Sequence, residues 1–264
     1  MTDHGTATLI ERDGLGDWRI QAAARIVADV PAAYPGGPSH KAGSVLSQTT
    51  MAVTAQHPNL GFVTPSAAAL ALSASFRSAD RAASLWNQVR YQKVVTPNGP
   101  GSGVSNIVVL FDYFEEALAA ANSSFQAIEA YSNATIARLL TGTMTVQRRD
   151  GAKQMTAEDI ERYVSTSEKI ATILPMLLSA PSIKGGGEWQ LFEKLKEVRD
   201  ASTHFKSGDQ YPGSGKAEKG SLYYALLNTA PQEFPLTAVR VILKLAGNPQ
   251  PRWLAHLVEK HGVT

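Results

Sequence analysis

Cysteine is absent from this chain of 264 residues, and charged side chains make up only 18% of it. The lack of cysteine excludes disulfide bonds, thiolate nucleophiles and cysteine-ligated zinc sites. It suits a reducing compartment, so we expect a cytoplasmic protein. Alanine accounts for much of the shortfall in charged residues, and an alanine-rich composition favours close-packed helices. With a net charge of +2, the chain has no basic field for bulk nucleic-acid binding, and any RNA contact must be local.

Long hydrophobic runs and cofactor motifs are absent as well. The most apolar segments, residues 170–180 and 236–246, are too short to span a bilayer, and the N-terminus lacks the pattern of a signal peptide. The histidines show no metal-ligand spacing, and the glycine cluster at residues 99–103 lacks the Gly-Lys-Ser/Thr ending of a P-loop. We therefore expect no membrane association, no metal site and no cofactor.

The spacing of apolar residues predicts an all-α fold. A proline- and glycine-rich segment, residues 96–103, separates a partly helical, unassigned N-terminal region (1–100) from a helical-bundle domain (101–264). A Thr156-x-x-Asp159 capping box is expected to start one helix, which should kink near Pro175. The predicted helices span residues 66 to about 95, 105 to about 140, 156 to about 179, 188–205, 222–228, 235–246 and 251–260.

An amphipathic segment, residues 193–205, carries Arg199 and His204 five residues apart near its C-terminal end. This Arg-Asp-x-x-x-His pattern, late in a chain predicted to be helical, resembles the signature of the HEPN superfamily (higher eukaryotes and prokaryotes nucleotide-binding). Many members of that superfamily are metal-independent ribonucleases. The resemblance covers roughly residues 105–260 and implies a HEPN-like helical bundle that forms a homodimer. It also implies an RNA substrate and a role such as toxin or phage-defence effector, with an antitoxin or another protein as partner.

The resemblance assigns a role to each polar residue of the motif. Histidine transfers protons well near neutral pH, so His204 is the expected general acid or base. Arginine binds phosphate in a planar, bidentate manner, so Arg199 is the expected stabiliser of phosphate charge. Asp200 precedes His204 by one helical turn and is placed to orient its imidazole. Ser202 and Thr203 are expected to add hydrogen bonds to the phosphate.

Two further sets of polar residues are candidates for the same site. Glu129 and Asn133 lie one turn apart on the long helix, and similar pairs in related folds face the motif helix. Glu129 would then position the arginine or the histidine of the motif, although a solvated helix face is the simpler interpretation. Lys206, Lys216 and Lys219 follow the motif on a glycine-containing loop, where they would attract RNA phosphates or simply be solvated.

Three functional hypotheses remain open from the sequence. The first is a metal-independent endoribonuclease. On an ideal helix Arg199 and His204 point about 140° apart, so this hypothesis needs a symmetric dimer to bring two motifs together. The second is a non-catalytic scaffold of the same fold that dimerises or binds a partner or RNA. The third is an unrelated helical protein in which the arginine and the histidine are incidental.

Overall fold

Two long helices follow from the sequence pattern. A computed structural model describes residues 15–32, 34, 37, 39–96, 99–149, 151–204, 221–247 and 250–263. Helix α1 (Ala67–Trp86) is capped by Ser66, whose hydroxyl accepts a hydrogen bond from the Ala69 N–H at 3.3 Å. Helix α2 (Ile107–Leu139) has 33 residues and, at 1.5 Å per residue, is about 50 Å long.

Shorter helices make up most of the rest of the described C-terminal part. The Thr156–Asp159 capping box predicted from the sequence is confirmed. The predicted single helix after it is instead broken into three α-helical pieces and a π-helix (Lys169–Ile173), with Pro175 in the first turn of the last piece. The three α-helical pieces are α3 (Ala157–Tyr163), α4 (Thr166–Glu168) and α5 (Leu174–Leu178). The helices that follow them are α6 (Gly187–Thr203), α7 (Leu222–Asn228), α8 (Glu233–Leu245) and α9 (Arg252–His261).

The prediction of an all-α helical bundle is wrong. The chain is 54% helical, and the residues that the structure describes also form four two-stranded antiparallel sheets, so the fold is a mixture of helices and sheets. The pairs, each formed by consecutive strands, are β1 (Ala23–Arg25) with β2 (Val45–Ser47), β3 (Thr49–Ala52) with β4 (Leu60–Val63), β5 (Tyr91–Thr96) with β6 (Gly99–Val104), and β7 (Thr143–Arg148) with β8 (Gly151–Thr156).

The β5–β6 hairpin corrects the predicted extent of the first helix. That helix was expected to reach about residue 95, but α1 ends at Trp86 and residues 91–96 form a strand instead. Thr96 pairs with Gly99, whose φ of +105° lies in the region that glycine adopts at little cost. In the segment 96–103, which was interpreted as a break in the chain, Thr96 therefore belongs to β5 and residues 99–103 belong to β6.

Helix α1 packs antiparallel along α2 through small side chains. Ser75 lies at the centre of this contact, where its hydroxyl is 2.8 Å from the Ala120 carbonyl oxygen and 2.7 Å from the Ser124 hydroxyl. Because the side chains are small, the two helix backbones pack closely along much of α1. The fully buried alanines that line the contact are Ala69, Ala79, Ala82, Ala117, Ala120 and Ala121.

The other faces of α2 receive the C-terminal helices. The Tyr113 hydroxyl donates a hydrogen bond of 2.6 Å to the Leu226 carbonyl and joins α7 to α2. The rings of Phe125 and Phe192 stack with centroids 5.9 Å apart and join α6 to α2. Helix α8 packs against α1, α2 and α6 and closes the core. Helix α1, which precedes residue 100, therefore shares one hydrophobic core with the helices that follow residue 101.

Two features are absent from the described residues: a helix that could span a membrane and a cluster of metal-ligating side chains. None of the described helices combines the length and the apolar character needed to cross a membrane. The described histidine, aspartate and glutamate side chains form no group of three or more that could hold a metal ion.

Candidate functional site

Helix α6 carries the Arg-Asp-x-x-x-His motif and is oriented by its apolar face. Phe192, Leu195 and Val198 are buried, which turns the neighbouring Arg199 toward the edge of the α2–α6 contact. The Arg199 guanidinium carbon lies 4.0 Å from the centroid of the Phe125 ring of α2. A cation over an aromatic face at this distance is attracted to it, typically by about 0.5–1 kcal/mol when partly exposed. Phe125 therefore fixes where the positive charge of Arg199 lies.

Asp200 is the anionic partner of two cations on α6. Its Oδ1 accepts a hydrogen bond from Arg199 Nη1 and its Oδ2 accepts one from Lys196 Nζ, both at 2.8 Å. All three side chains are about one-third exposed, so the ion pairs contribute little to stability. Two positive charges share one negative charge, which leaves a local charge of +1 beside the ring of Phe125.

The hydroxyl groups of Ser202 and Thr203 both donate hydrogen bonds to other atoms of the protein. Thr203 Oγ1 donates to the Arg199 carbonyl at 2.9 Å. Ser202 Oγ lies 2.7 Å from the same carbonyl and 2.9 Å from Asn122 Oδ1, so its single proton serves one acceptor at a time. Neither hydroxyl proton is free for a phosphate in this conformation. When Ser202 donates to the Arg199 carbonyl, its oxygen can instead accept a hydrogen bond.

Asn122 and Phe125 are the residues at this site that the sequence analysis missed. They lie three positions apart on the face of α2 that meets α6, 77 and 74 residues before Arg199 in the chain. A polar residue and an aromatic residue at helical spacing are common on a packed helix. Only the packing of α6 on α2 distinguishes these two from the other residues of the long helix.

His204 ends α6. Its backbone N–H donates to the Asp200 carbonyl at 2.9 Å, and its side chain is exposed. The imidazole makes no hydrogen bond to any residue that the structure describes. Both carboxylate oxygens of Asp200 are engaged by Arg199 and Lys196, so Asp200 does not hold the imidazole as expected from the i,i+4 spacing. The arginine and the histidine are thus placed independently, one by α2 and one by the helix end.

Glu129 and Asn133 lie in a second polar cluster on α2. Glu129 Oε1 accepts a hydrogen bond from Thr166 Oγ1 at 3.1 Å, and Asn133 Oδ1 accepts one from Lys169 Nζ at 2.9 Å. The same Nζ donates to the Glu161 carbonyl at 2.9 Å. The hydrogen bonds of this pair thus go to the segment containing α4 and the π-helix, and not to the motif on α6.

Lys169 is the central residue of this second cluster and is only 1% exposed. Burial lowers the pKa of its ammonium group, and the negative charges of Glu129 and Glu161 oppose that effect. Lys169 is also the first residue of the π-helix, a geometry that is rare and frequent at functional sites. No pattern in the sequence around residue 169 indicated a buried lysine.

Lys206, Lys216 and Lys219, the proposed RNA-attracting lysines, lie outside the described residues. Among the described residues, α2 and α6 carry the side chains that contact Arg199 and Ser202.

Comparisons of the chain with protein-family models, with curated protein sequences and with solved structures gave no match.

Replacing Lys169 by methionine should lower the free energy of unfolding by about 1–3 kcal/mol at pH 7. The substitution leaves Asn133 Oδ1 and the Glu161 carbonyl without their donor and Glu129 without a nearby cation. Urea unfolding followed by circular dichroism measures this loss. The exposed Lys244→Met on α8 is the matched control and should change stability by less than about 0.5 kcal/mol.

The difference between wild type and Lys169→Met should grow as the pH rises toward 10.5, the ordinary pKa of lysine. The folded state gives up the Lys169 proton at a lower pH than the unfolded state does. Between those two pKa values the unfolded state binds more protons, and stability then rises with pH. The same urea titrations, repeated at pH 7 and pH 10, measure this change. A difference that shrinks with pH would contradict a lowered pKa.

Proposed function

We propose that this protein is a homodimeric endoribonuclease of the HEPN type that cleaves RNA without a metal ion. In this proposal Arg199 stabilises the phosphate and His204 transfers the proton. The proposal also includes the role that accompanies the resemblance, a toxin or phage-defence effector with an antitoxin or other protein partner. Its sequence support is the Arg-Asp-x-x-x-His pattern of residues 199–204.

The observation that carries the proposal is the placement of the Arg199 guanidinium. It is held at the edge of the α2–α6 contact by the Phe125 ring and by Asp200, while its side chain stays 31% exposed. A rigidly placed, planar cation that reaches solvent is suited to bind a phosphate through two hydrogen bonds. His204 follows at the end of the same helix with an exposed imidazole.

The reaction requires two proton transfers. The 2′-hydroxyl of the RNA loses its proton to a base and attacks the adjacent phosphorus, and the bond from phosphorus to the 5′-oxygen breaks. That oxygen takes a proton from an acid, which gives a 2′,3′-cyclic phosphate and a 5′-hydroxyl. In a symmetric dimer one His204 is the base and the partner's His204 is the acid. Arg199 stabilises the extra negative charge on the phosphorus centre.

A non-catalytic scaffold is the alternative, and one observation favours it. Asp200 pairs with both Arg199 and Lys196, so a phosphate that binds Arg199 must compete with a carboxylate already in place. In a scaffold these three residues would only stabilise the surface of α6. The two proposals predict different effects of substituting Arg199 and His204 on RNA cleavage, stability and dimerisation.

Arg199→Ala and His204→Ala should each reduce RNA cleavage by about a hundredfold or more, since each removes a group needed only in the transition state. Arg199→Lys should remain impaired because an ammonium group cannot form the planar two-bond contact. Cleavage of a fluorescent RNA and the melting temperature are measured together. The exposed Arg81→Ala and His57→Ala are the controls and should leave cleavage unchanged.

Under the scaffold alternative, wild-type protein cleaves neither single-stranded nor structured RNA, and substitutions at residues 199 and 204 change only stability or dimerisation. Cleavage that survives both alanine substitutions would disprove the assignment of the site.

Cleavage should persist in EDTA and produce 2′,3′-cyclic phosphate ends. The proton transfers are assigned to histidine, and the described residues contain no group of three or more metal-ligating side chains. Mass spectrometry of a short RNA substrate identifies the ends, with a Mg²⁺-dependent ribonuclease as the control for chelation. Loss of activity in EDTA, or 3′-hydroxyl ends, would contradict attack by the 2′-hydroxyl.

The protein should be a homodimer with the C-terminal ends of two α6 helices close together, because Arg199 and His204 point in different directions on one helix. The chain lacks cysteine, so single-cysteine variants report position without ambiguity. Thr203→Cys should cross-link two subunits with a short bis-maleimide, whereas Ala119→Cys, exposed on α2, should not. A monomer by light scattering at micromolar concentration would contradict this arrangement.

A further inference from the structure

An exposed apolar surface lies where the β5–β6 hairpin meets the first turns of α2. The Arg90 N–H donates to Asn106 Oδ1 at 2.7 Å, and Asn106 Nδ2 donates to the Gln88 carbonyl at 2.8 Å, so the base of the hairpin is fixed to the start of α2. The Trp86 ring packs against Tyr113 of α2 with centroids 4.8 Å apart. The exposed apolar residues of this surface, which we call the α2–hairpin surface, are Trp86, Tyr91, Val95, Ile107, Val108 and Phe111.

The size of the α2–hairpin surface suits an interface with another chain. Val108 is 66% exposed, Tyr91 58% and Phe111 54%. The six apolar residues together expose on the order of 600 Å², which is at the upper end for the largest apolar patch of a monomer. A stable interface buries about 800 Å² on each partner, and the polar rim of the surface supplies the remainder.

The same face of α2 meets the end of α6. Phe111 and Asn122 are separated by about three helical turns, so both lie on one face of α2. Helix α6 covers that face at Asn122, whose Oδ1 lies 2.9 Å from Ser202 Oγ, and α6 ends at Thr203. Towards the N-terminus of α2 the face is exposed at Glu115 and Phe111. A chain that packs on the α2–hairpin surface therefore also lies next to the end of the motif helix.

The charges at the edge of this surface form two groups of opposite sign. Arg90 and Lys93 are exposed on the hairpin, whereas Asp112 and Glu115 are exposed on α2. None of these four side chains forms an ion pair with a residue that the structure describes. A two-fold axis that runs between the two groups places the cations of each subunit opposite the anions of the other. The surface is therefore complementary to itself in charge.

We propose that the α2–hairpin surface binds the same surface of a second copy of this chain, with the hairpin of each subunit against α2 of the other. The choice of a second copy rests on the proposed function, whose cleavage reaction needs two motifs brought together. The apolar centre of the surface supplies the affinity, and the two charge groups set the orientation of the subunits.

Charge reversal tests whether the partner is a second copy. The hairpin variant Arg90→Glu with Lys93→Glu and the helix variant Asp112→Lys with Glu115→Lys should each dimerise about tenfold or more weakly, because each places like charges at both contacts. An equimolar mixture of the two variants should recover dimers, since every contact then joins opposite charges. Sedimentation equilibrium of the full chain at micromolar concentration measures the masses, and circular dichroism checks folding.

Removal of one ring tests the apolar centre. Phe111→Gln should weaken dimerisation by about tenfold or more. Met176→Gln changes a similarly exposed apolar residue of α5 and should leave the dimer unchanged. The inference is overturned by a monomeric wild type, by unchanged dimerisation of Phe111→Gln or of the charge variants, or by a mixture that stays monomeric.

The outcomes separate this inference from the proposed function. A dimer that persists in Phe111→Gln and still cross-links through Thr203→Cys would leave the proposed function intact and reject the α2–hairpin surface. A wild-type dimer that behaves as expected in the charge and ring variants but cleaves no RNA would keep the surface and reject the function.

Discussion

Close packing of α1 against α2 through alanine and serine is the constraint on which the rest of the structure depends. Ser75 satisfies its hydroxyl inside this contact by bonding to Ala120 and Ser124, so even the polar side chain at the centre needs no water. Larger side chains would move the helices apart or force strain. With α1 occupying one side, α2 presents its other faces to helices α6, α7 and α8.

Those other faces organise both polar clusters. Asn122 and Phe125 meet α6 and determine where Ser202 and Arg199 lie. Further along, Glu129 and Asn133 bind the segment that contains Thr166 and Lys169. The spacing along α2 is about one helical turn between Phe125 and Glu129 and another to Asn133. A single long helix thus places a surface cation and a buried cation in fixed relation to each other.

The sequence predicted the helices better than the sheets, because the helix signals lie in residues that are close together in the chain. Apolar spacing located α2 and α6, and the capping box at Thr156 was visible in the residues themselves. These two hairpins were missed although the sequence contains Asn98-Gly99 and Asp150-Gly151, and such dipeptides are strong hairpin signals. The alanine-rich composition favoured helices, and the helix prediction was extended over Val94 and Val95, which are typical of strands.

The site was predictable in its residue types but not in its partners. Arg199 and His204 could be placed at the end of a helix from the pattern alone. The pattern could not show which cation Asp200 would bind, because Lys196 and Arg199 are both within reach on the same helix. The burial of Lys169 could not be predicted from the sequence. It depends on contacts with α2 and with residue 161, and no pattern in the neighbouring residues indicates them. The π-helix that begins there also has a consequence for changes in chain length. Such a turn holds one residue more than an α-turn, so loss of a single residue between positions 170 and 173 would leave a regular α-helix whose flanking residues keep their directions. The same loss in the middle of α2 would rotate every later residue of that helix by about 100° and separate its faces from their partners.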